Sequence, residues 1–298
     1  MDSPLVVGVD GSDTGLTAVD WAADEAARHG WALRIVHASL WERYEGVAPA
    51  GTADRPVDQI LAESIVAAAE ERALRRRSEL TVTTDVLAED AVGGLLAEGE
   101  RAAALVVGSR GRSRVAGLLL GSVSLTVAAR ASCPVVVVRG DREARETRHH
   151  RVLLGIGGDE TDAPAARFAW REAAVRDAEL EMVHAWRRPM GDPSGHPLLA
   201  DRTTTYERSA AALLDRAVEG AGPDRPQVRL RRSPVEGPAH HVLVERSAAA
   251  DLLVIGARRR RGFAGLEIGR VAHRALHHAA CPVAVVPWRA PETADGDA

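Results

Sequence analysis

Leu105-Val106-Val107-Gly108-Ser109-Arg110-Gly111 is followed by nine residues and then by Gly121-Ser122. The apolar run is too short for a helix and suits a buried strand. A glycine loop ends it, and Gly121-Ser122 opens a helical pattern. Strand, glycine turn and helix form the unit of an open parallel sheet, in which ligands sit beyond the carboxyl ends of the strands. Glycines there permit positive φ and let backbone amides approach an anion closely. The unpaired amides at the helix start, and the helix dipole, favour phosphate oxygens. The Ser122 hydroxyl adds a hydrogen bond or a contact to a phosphate-bound metal. Asp10-Gly11-Ser12 follows the first apolar run, where Asp10 can accept hydrogen bonds from a ribose hydroxyl or an adenine edge.

Outward from this stretch, the chain repeats itself. Leu5–Val9 resembles Val152–Ile156 and Ile35–Ala38 resembles Met182–Ala185, both at an offset of 147 residues. Leu105–Gly108 resembles Leu253–Gly256 and Cys133-Pro134-Val135 resembles Cys281-Pro282-Val283, both at 148. The register indicates two tandem domains, since solenoid repeats are far shorter, about 20–50 residues. In the first half, Leu5–Val9, Leu33–His37, Val82–Leu87, Leu105–Val107 and Val135–Val138 read as strands. Thr14–His29, Val57–Ser78, Ala91–Ala102 and Gly121–Ala131 read as helices between them. Nearly continuous Val/Ile/Leu strands alternating with helices predict an α/β doubly wound sheet, five parallel strands per half with helices on both faces. The predicted domains are 1–140 and 151–288, joined by a charged linker, 141–150, and followed by a flexible tail, 289–298. Trp41–Pro56 and Arg187–Asp201 read as loops, and Pro287–Ala298 as polar.

The 298 residues suffice for two such domains, and 46% hydrophobic with 27% charged residues indicates a globular protein. A net charge of −4 weighs against a general nucleic-acid binder. Two cysteines make no disulfide framework, so a reducing compartment, the cytoplasm, is expected. No basic region precedes Leu5–Val9, and no apolar run is long enough to span a bilayer, so neither a signal peptide nor a membrane role is expected. The chain contains no lysine and no asparagine, which excludes a Walker A phosphate loop and Schiff-base catalysis.

With Gly108, Gly111, Gly121 and Ser122 in the spacing G-x2-G-x9-G-S/T, with Val9-Asp10-Gly11-Ser12 and with Cys133-Pro134-Val135-Val136, the sequence resembles the universal stress proteins in their tandem form. The resemblance covers both halves. It implies two Rossmann-like, adenine-nucleotide alpha-hydrolase-like domains and a site for ATP, with Mg as an accompanying metal. Asp10, Gly11 and Ser12 would lie near adenine and ribose, and Ala38 would offer its backbone to the base. Gly108, Gly111, Gly121, Ser122 and Val123 would wrap ribose and phosphates, with Arg110 adding charge. The last strands, Val135–Val138 and Val283–Val286, could pair with each other and relate the halves by a pseudo-two-fold axis. Whether two chains also form a homodimer stays open, as does the choice between ATP and other adenine nucleotides.

The second half departs from the pattern. Gly157 stands for Asp10, Asp159 for Ser12, Arg259 for Gly111 and Arg270 for Ser122, while Gly256 and Gly269 preserve two loop glycines. The first half is therefore expected to hold the nucleotide. The run Arg258–Arg261 with Arg270 suits either another anion or a solvated face. No GxSxG, paired-carboxylate or Cys/His arrangement accompanies Asp10 and Ser122, so a sensor or regulator is expected. Slow ATP hydrolysis and a nucleotide-free scaffold are the alternatives. Cys133 and Cys281 read as packing residues, His37 and His184 as matched packing residues at strand ends, and His273 with His277 as a helix-face pair lacking a third metal ligand.

Overall fold

The structure, a computed structural model, describes residues 3–40, 57–111, 120–158, 162–188, 200–221, 227–258 and 268–288. The first half runs β1 (Leu5–Gly8), α1 (Asp13–His29), β2 (Leu33–Ala38), α2 (Val57–Arg76), β3 (Val82–Leu87), α3 (Ala91–Gly99), β4 (Ala104–Gly108), α4 (Ser122–Arg130) and β5 (Val135–Val138). The short α5 (Arg142–Arg145) follows. The second half repeats the order as β6 (Arg151–Gly155), α6 (Asp162–Val175), β7 (Glu179–Trp186), α7 (Ala200–Ala221), β8 (Leu230–Glu236), α8 (Ala239–Arg246), β9 (Leu252–Arg258), α9 (Arg270–His278) and β10 (Val283–Trp288).

Each half contributes five parallel strands, in the order 3-2-1-4-5 and its counterpart. The two sets merge into one ten-stranded sheet, β3-β2-β1-β4-β5-β10-β9-β6-β7-β8. The join is the only antiparallel pairing among the described strands: Val137 faces Val283, Val136 faces Ala284 and Val135 faces Val285. Four consecutive valines make β5 buried on both faces, as a strand inside a sheet requires. Their side chains alternate between faces. Val136 and Val138 join one core with α1, α2, α6 and α7, while Val135 and Val137 join the other with α3, α4, α8 and α9. Both cores run unbroken across the junction, so the halves share their interior.

Local signals set the element ends. Ser12 caps α1, its Oγ accepting from the Gly15 amide at 3.1 Å, and Gly30 closes it in the left-handed conformation (φ 68°). The predicted strands and first-half helices form within a few residues of their expected bounds. Three differences are instructive. The linker carries α5, capped by Asp141 and seated through the fully buried Ala144. Ala200 and Asp201, expected in a loop, begin α7. Pro287 and Trp288, expected in the polar tail, extend β10 along β9, opposite Ala257 and Arg258. The predicted loop 41–56 and tail 289–298 lie outside the described residues. No helix among the described residues is long and apolar enough to cross a membrane.

Candidate functional site

The carboxyl ends of β1 and β4 lie side by side, since β1 pairs with β4 through Gly8 and Val107. The loops that leave them open onto a cavity of about 1020 Å³. All ten residues singled out in the sequence, Asp10, Gly11, Ser12, Ala38, Gly108, Arg110, Gly111, Gly121, Ser122 and Val123, line this one cavity. Residues 112–119 of the loop lie outside the described residues.

Hydrogen bonds brace the floor. Asp10 Oδ1 accepts from the Ser12 amide at 3.0 Å and from Ser12 Oγ at 2.6 Å. The Thr14 hydroxyl donates to the Arg110 carbonyl, which ties the start of α1 to the glycine loop. The Gly121 amide donates to the Ser109 carbonyl at 2.8 Å, bringing the far end of the loop back to its beginning. Ser124 Oγ donates to the Gly108 carbonyl at 2.7 Å and fixes α4 against β4. No side chain caps α4, whose N-cap is Gly121, so its first amides are left for whatever enters the cavity.

Of the two reasons the sequence offers for these glycines, positive φ does not apply to the three of the spacing. Gly108, Gly111 and Gly121 do not adopt positive φ; only Gly11 of the lining glycines does, at 79°. Close approach decides instead. A Cβ on Gly108 would lie 2.8 Å from the Thr14 carbonyl oxygen, and one on Gly111 2.9 Å from Asp10 Oδ2. A Cβ on Gly121 would meet no described protein atom closer than 3.6 Å, so the fold itself leaves room there. Val36, Leu87, Leu95, Val107 and Leu120 give the cavity an apolar side. Thr14 and Gly15 were missed in the sequence, although their place just inside an N-capped helix after β1 marks them.

Gly15 matters because a Cβ on it would sit 2.9 Å from Asp10 Oδ1. The second half exchanges the two residues: Gly157 stands at the Asp10 position and Asp162 at the Gly15 position. The carboxylate has moved from the strand end to the helix start. There Asp162, 8% exposed, accepts from the Gly157 amide at 2.9 Å and the Gly158 amide at 2.7 Å. It thus occupies the turn from within. The exchange also removes the reason for a glycine at the position of Gly111, where the second half has Arg259, a residue outside the described ones. Arg258 and Arg270 are exposed.

His37 and His184 play matched parts, their Nδ1 groups donating to the Val9 carbonyl at 2.7 Å and the Ile156 carbonyl at 2.9 Å. Each clips one strand end to the next. Cys133 and Cys281 are buried and unpaired, and burial pushes both thiols up, Cys133 to about 11. His273 and His277 stack with ring centroids 4.5 Å apart.

Two parallel-sheet halves joined edge to edge, with a cavity at the strand ends of the first, define a tandem pair of adenine-nucleotide-hydrolase-like α/β domains. Comparison with known proteins gives the family. The profile of the universal stress protein family matches residues 1–139 and 148–287. A universal stress protein of Mycolicibacterium smegmatis is 31% identical over 293 residues, covering 95% of this chain and 96% of its own. Universal stress protein Rv2005c of Mycobacterium tuberculosis is 31% identical over 299 residues, covering 94% and 96%. The crystal structure of a universal stress protein from Archaeoglobus fulgidus has the same fold, with a TM-score of 0.67 over 96% of this chain and 99% of that one at 18% identity. The chain belongs to the universal stress protein family and carries two of its domains in tandem.

Proposed function

We propose that the chain is a cytoplasmic regulatory protein whose first half binds ATP or a related adenine nucleotide, and whose second half does not. One observation carries this reading: ten residues chosen from the sequence line a single cavity of about 1020 Å³. That cavity has an apolar side for a base, the Asp10 carboxylate near its strand ends, and the uncapped start of α4 for phosphates. Mg, where it accompanies the nucleotide, would be met by the Ser122 hydroxyl. The space beside Gly121, which the protein leaves open, suits a ligand that comes close to the backbone.

Regulation is a better account than catalysis. Asp10 is tied to Ser12 through Oδ1 at 2.6 Å, an arrangement for a fixed acceptor rather than for a base that must take up a proton. Nucleotide occupancy would then act by favouring one shape or one partner over another.

Calorimetric titration of nucleotide-free protein with ATP tests the reading, beside Gly111→Arg and Ser122→Arg, which copy second-half residues into the first. One ATP per chain, lost in both variants, is expected. Two per chain would overturn the asymmetry, and none would overturn nucleotide binding.

A further inference from the structure

Arg72 and Arg76 of α2 and Arg142 and Arg145 of the linker converge on a second cavity, about 290 Å³, walled on the α1 side by Asp20 and Trp21. It lies away from the strand ends, and it occurs once in the chain because the linker does. Glu146 of the linker also lines it, so four guanidinium groups face two carboxylates. Asp20 is fully engaged by Arg72, whose Nε and Nη2 lie 2.7 and 2.6 Å from its two oxygens. Asp24 serves both Arg76, at 2.6 Å, and Arg77, at 2.8 Å. Glu146 likewise serves Arg142, at 2.5 Å, and Arg148, at 2.7 Å. Arg145 donates to the Gly140 carbonyl at 2.8 Å and meets no carboxylate among the described residues. Arg142 uses only its Nε, so its two terminal nitrogens carry no bond among the described residues.

Trp21, 2% exposed, closes the inner wall of the cleft. Surplus guanidinium charge with unused N–H groups calls for an acceptor-only ligand. Arginines are suited to this, since the planar fork matches two oxygens of one tetrahedral anion.

We propose that this cleft binds a phosphate-class oxyanion, either free phosphate or pyrophosphate or the phosphate group of a small metabolite, and that the bound anion fastens the linker helix to α1 and α2. The site is separate from the nucleotide cavity and does not depend on it. An anion here would bridge Arg142 and Arg145, which belong to the connection between halves, to Arg72 and Arg76, which belong to the first half. It would thereby hold the linker helix against the first half.

The test is calorimetric titration of the full chain with pyrophosphate, inorganic phosphate and glycerol phosphate. Pyrophosphate should bind one per chain, and equally to Gly111→Arg, in which the nucleotide cavity is blocked. Arg145→Gln and Arg142→Gln should each weaken binding about ten-fold, the loss of one charge-assisted bond. Arg145→Lys should retain most of it. The Arg142 side chain is 79% exposed, so its replacement leaves the packing intact and any loss of binding reads on the site. Glycerol phosphate binding as tightly as phosphate would assign the site to esterified phosphate; binding of phosphate and pyrophosphate alone would assign it to the free anions. Absence of pyrophosphate binding, binding unchanged in both glutamine variants, or binding abolished by Gly111→Arg would each overturn the proposal.

Discussion

Glu25 and Glu172 occupy the same position of the repeat, and a single guanidinium, that of Arg176, bonds both at 2.6 Å. His29, the counterpart of Arg176 in the first half, stands 3.4 Å from Glu25 and 3.3 Å from Glu172 and stacks on Trp31 at 4.0 Å. All four charged side chains are at most 4% exposed. The repeat therefore brings two copies of one acidic position together in the interior between α1 and α6. It balances them with two different bases, one permanent and one that titrates.

Removing the permanent one should be costly. Arg176→Met leaves two carboxylates facing each other in the interior and is expected to lower stability by about 3–5 kcal/mol. Adding Glu25→Gln and Glu172→Gln should recover most of that loss. Urea denaturation of the single and triple variants measures both.

The titrating base sets a pH dependence. Burial pushes the His29 imidazole down, but Glu172 and Glu25 outweigh it and hold its pKa at about 8, above its ordinary 6.5. A raised pKa means that the protonated form stabilises the fold. That contribution is complete below about pH 6.5, diminishes as pH rises through about 8, and amounts to about 2 kcal/mol. Glu172 acts in the same direction, since burial and the Glu25 charge hold its pKa above the usual carboxylate range. Glu25 acts outside this window: burial raises its pKa, but Arg176 together with His29 and Glu172 holds it well below the ordinary 4.5, so its contribution is lost only in acid. Melting temperatures between pH 6 and 9.5 should fall through this window, and His29→Gln should flatten the curve.

At the cavity proposed for the nucleotide, Gly15→Ala places a methyl group where a Cβ lies 2.9 Å from Asp10 Oδ1. The carboxylate must turn away from Ser12. ATP affinity is expected to fall about ten-fold, the equivalent of one displaced charge-assisted hydrogen bond, with the fold retained. Calorimetry against wild type, with melting temperature as the control, checks it.

The mirror experiment is Asp162→Ala. It strips the Gly157 and Gly158 amides of their acceptor and should cost about 1–3 kcal/mol of stability while leaving ATP affinity unchanged. Denaturation and calorimetry on the same variant separate the two effects.

Much of this was legible in the sequence because parallel strands buried on both faces must be apolar throughout, as Leu105–Val107 and Val135–Val138 are. The glycine spacing is legible for a related reason at Gly108, where close approach of the Thr14 backbone tolerates only glycine. What stayed hidden depends on pairs of residues distant in sequence. The linker helix is held by one buried alanine, Ala144, which makes no periodic pattern. Asp162 stands at the position of Gly15, which belongs to no motif of the first half, so no sequence pattern marks it. Only the geometry of Gly15 beside Asp10 reveals that the second half moved its carboxylate instead of discarding it. The charge cluster joins positions 25, 29, 172 and 176, which no local reading brings together.

The antiparallel seam between β5 and β10 has an evolutionary consequence. Two separate identical subunits joined along such a seam would have to change together, since every mutation appears in both. Here one chain holds both partners, so each can drift alone. Gly157, Asp162 and Arg176 are differences of this kind from their counterparts Asp10, Gly15 and His29. One covalent chain lets the two halves differ without dismantling the sheet that unites them.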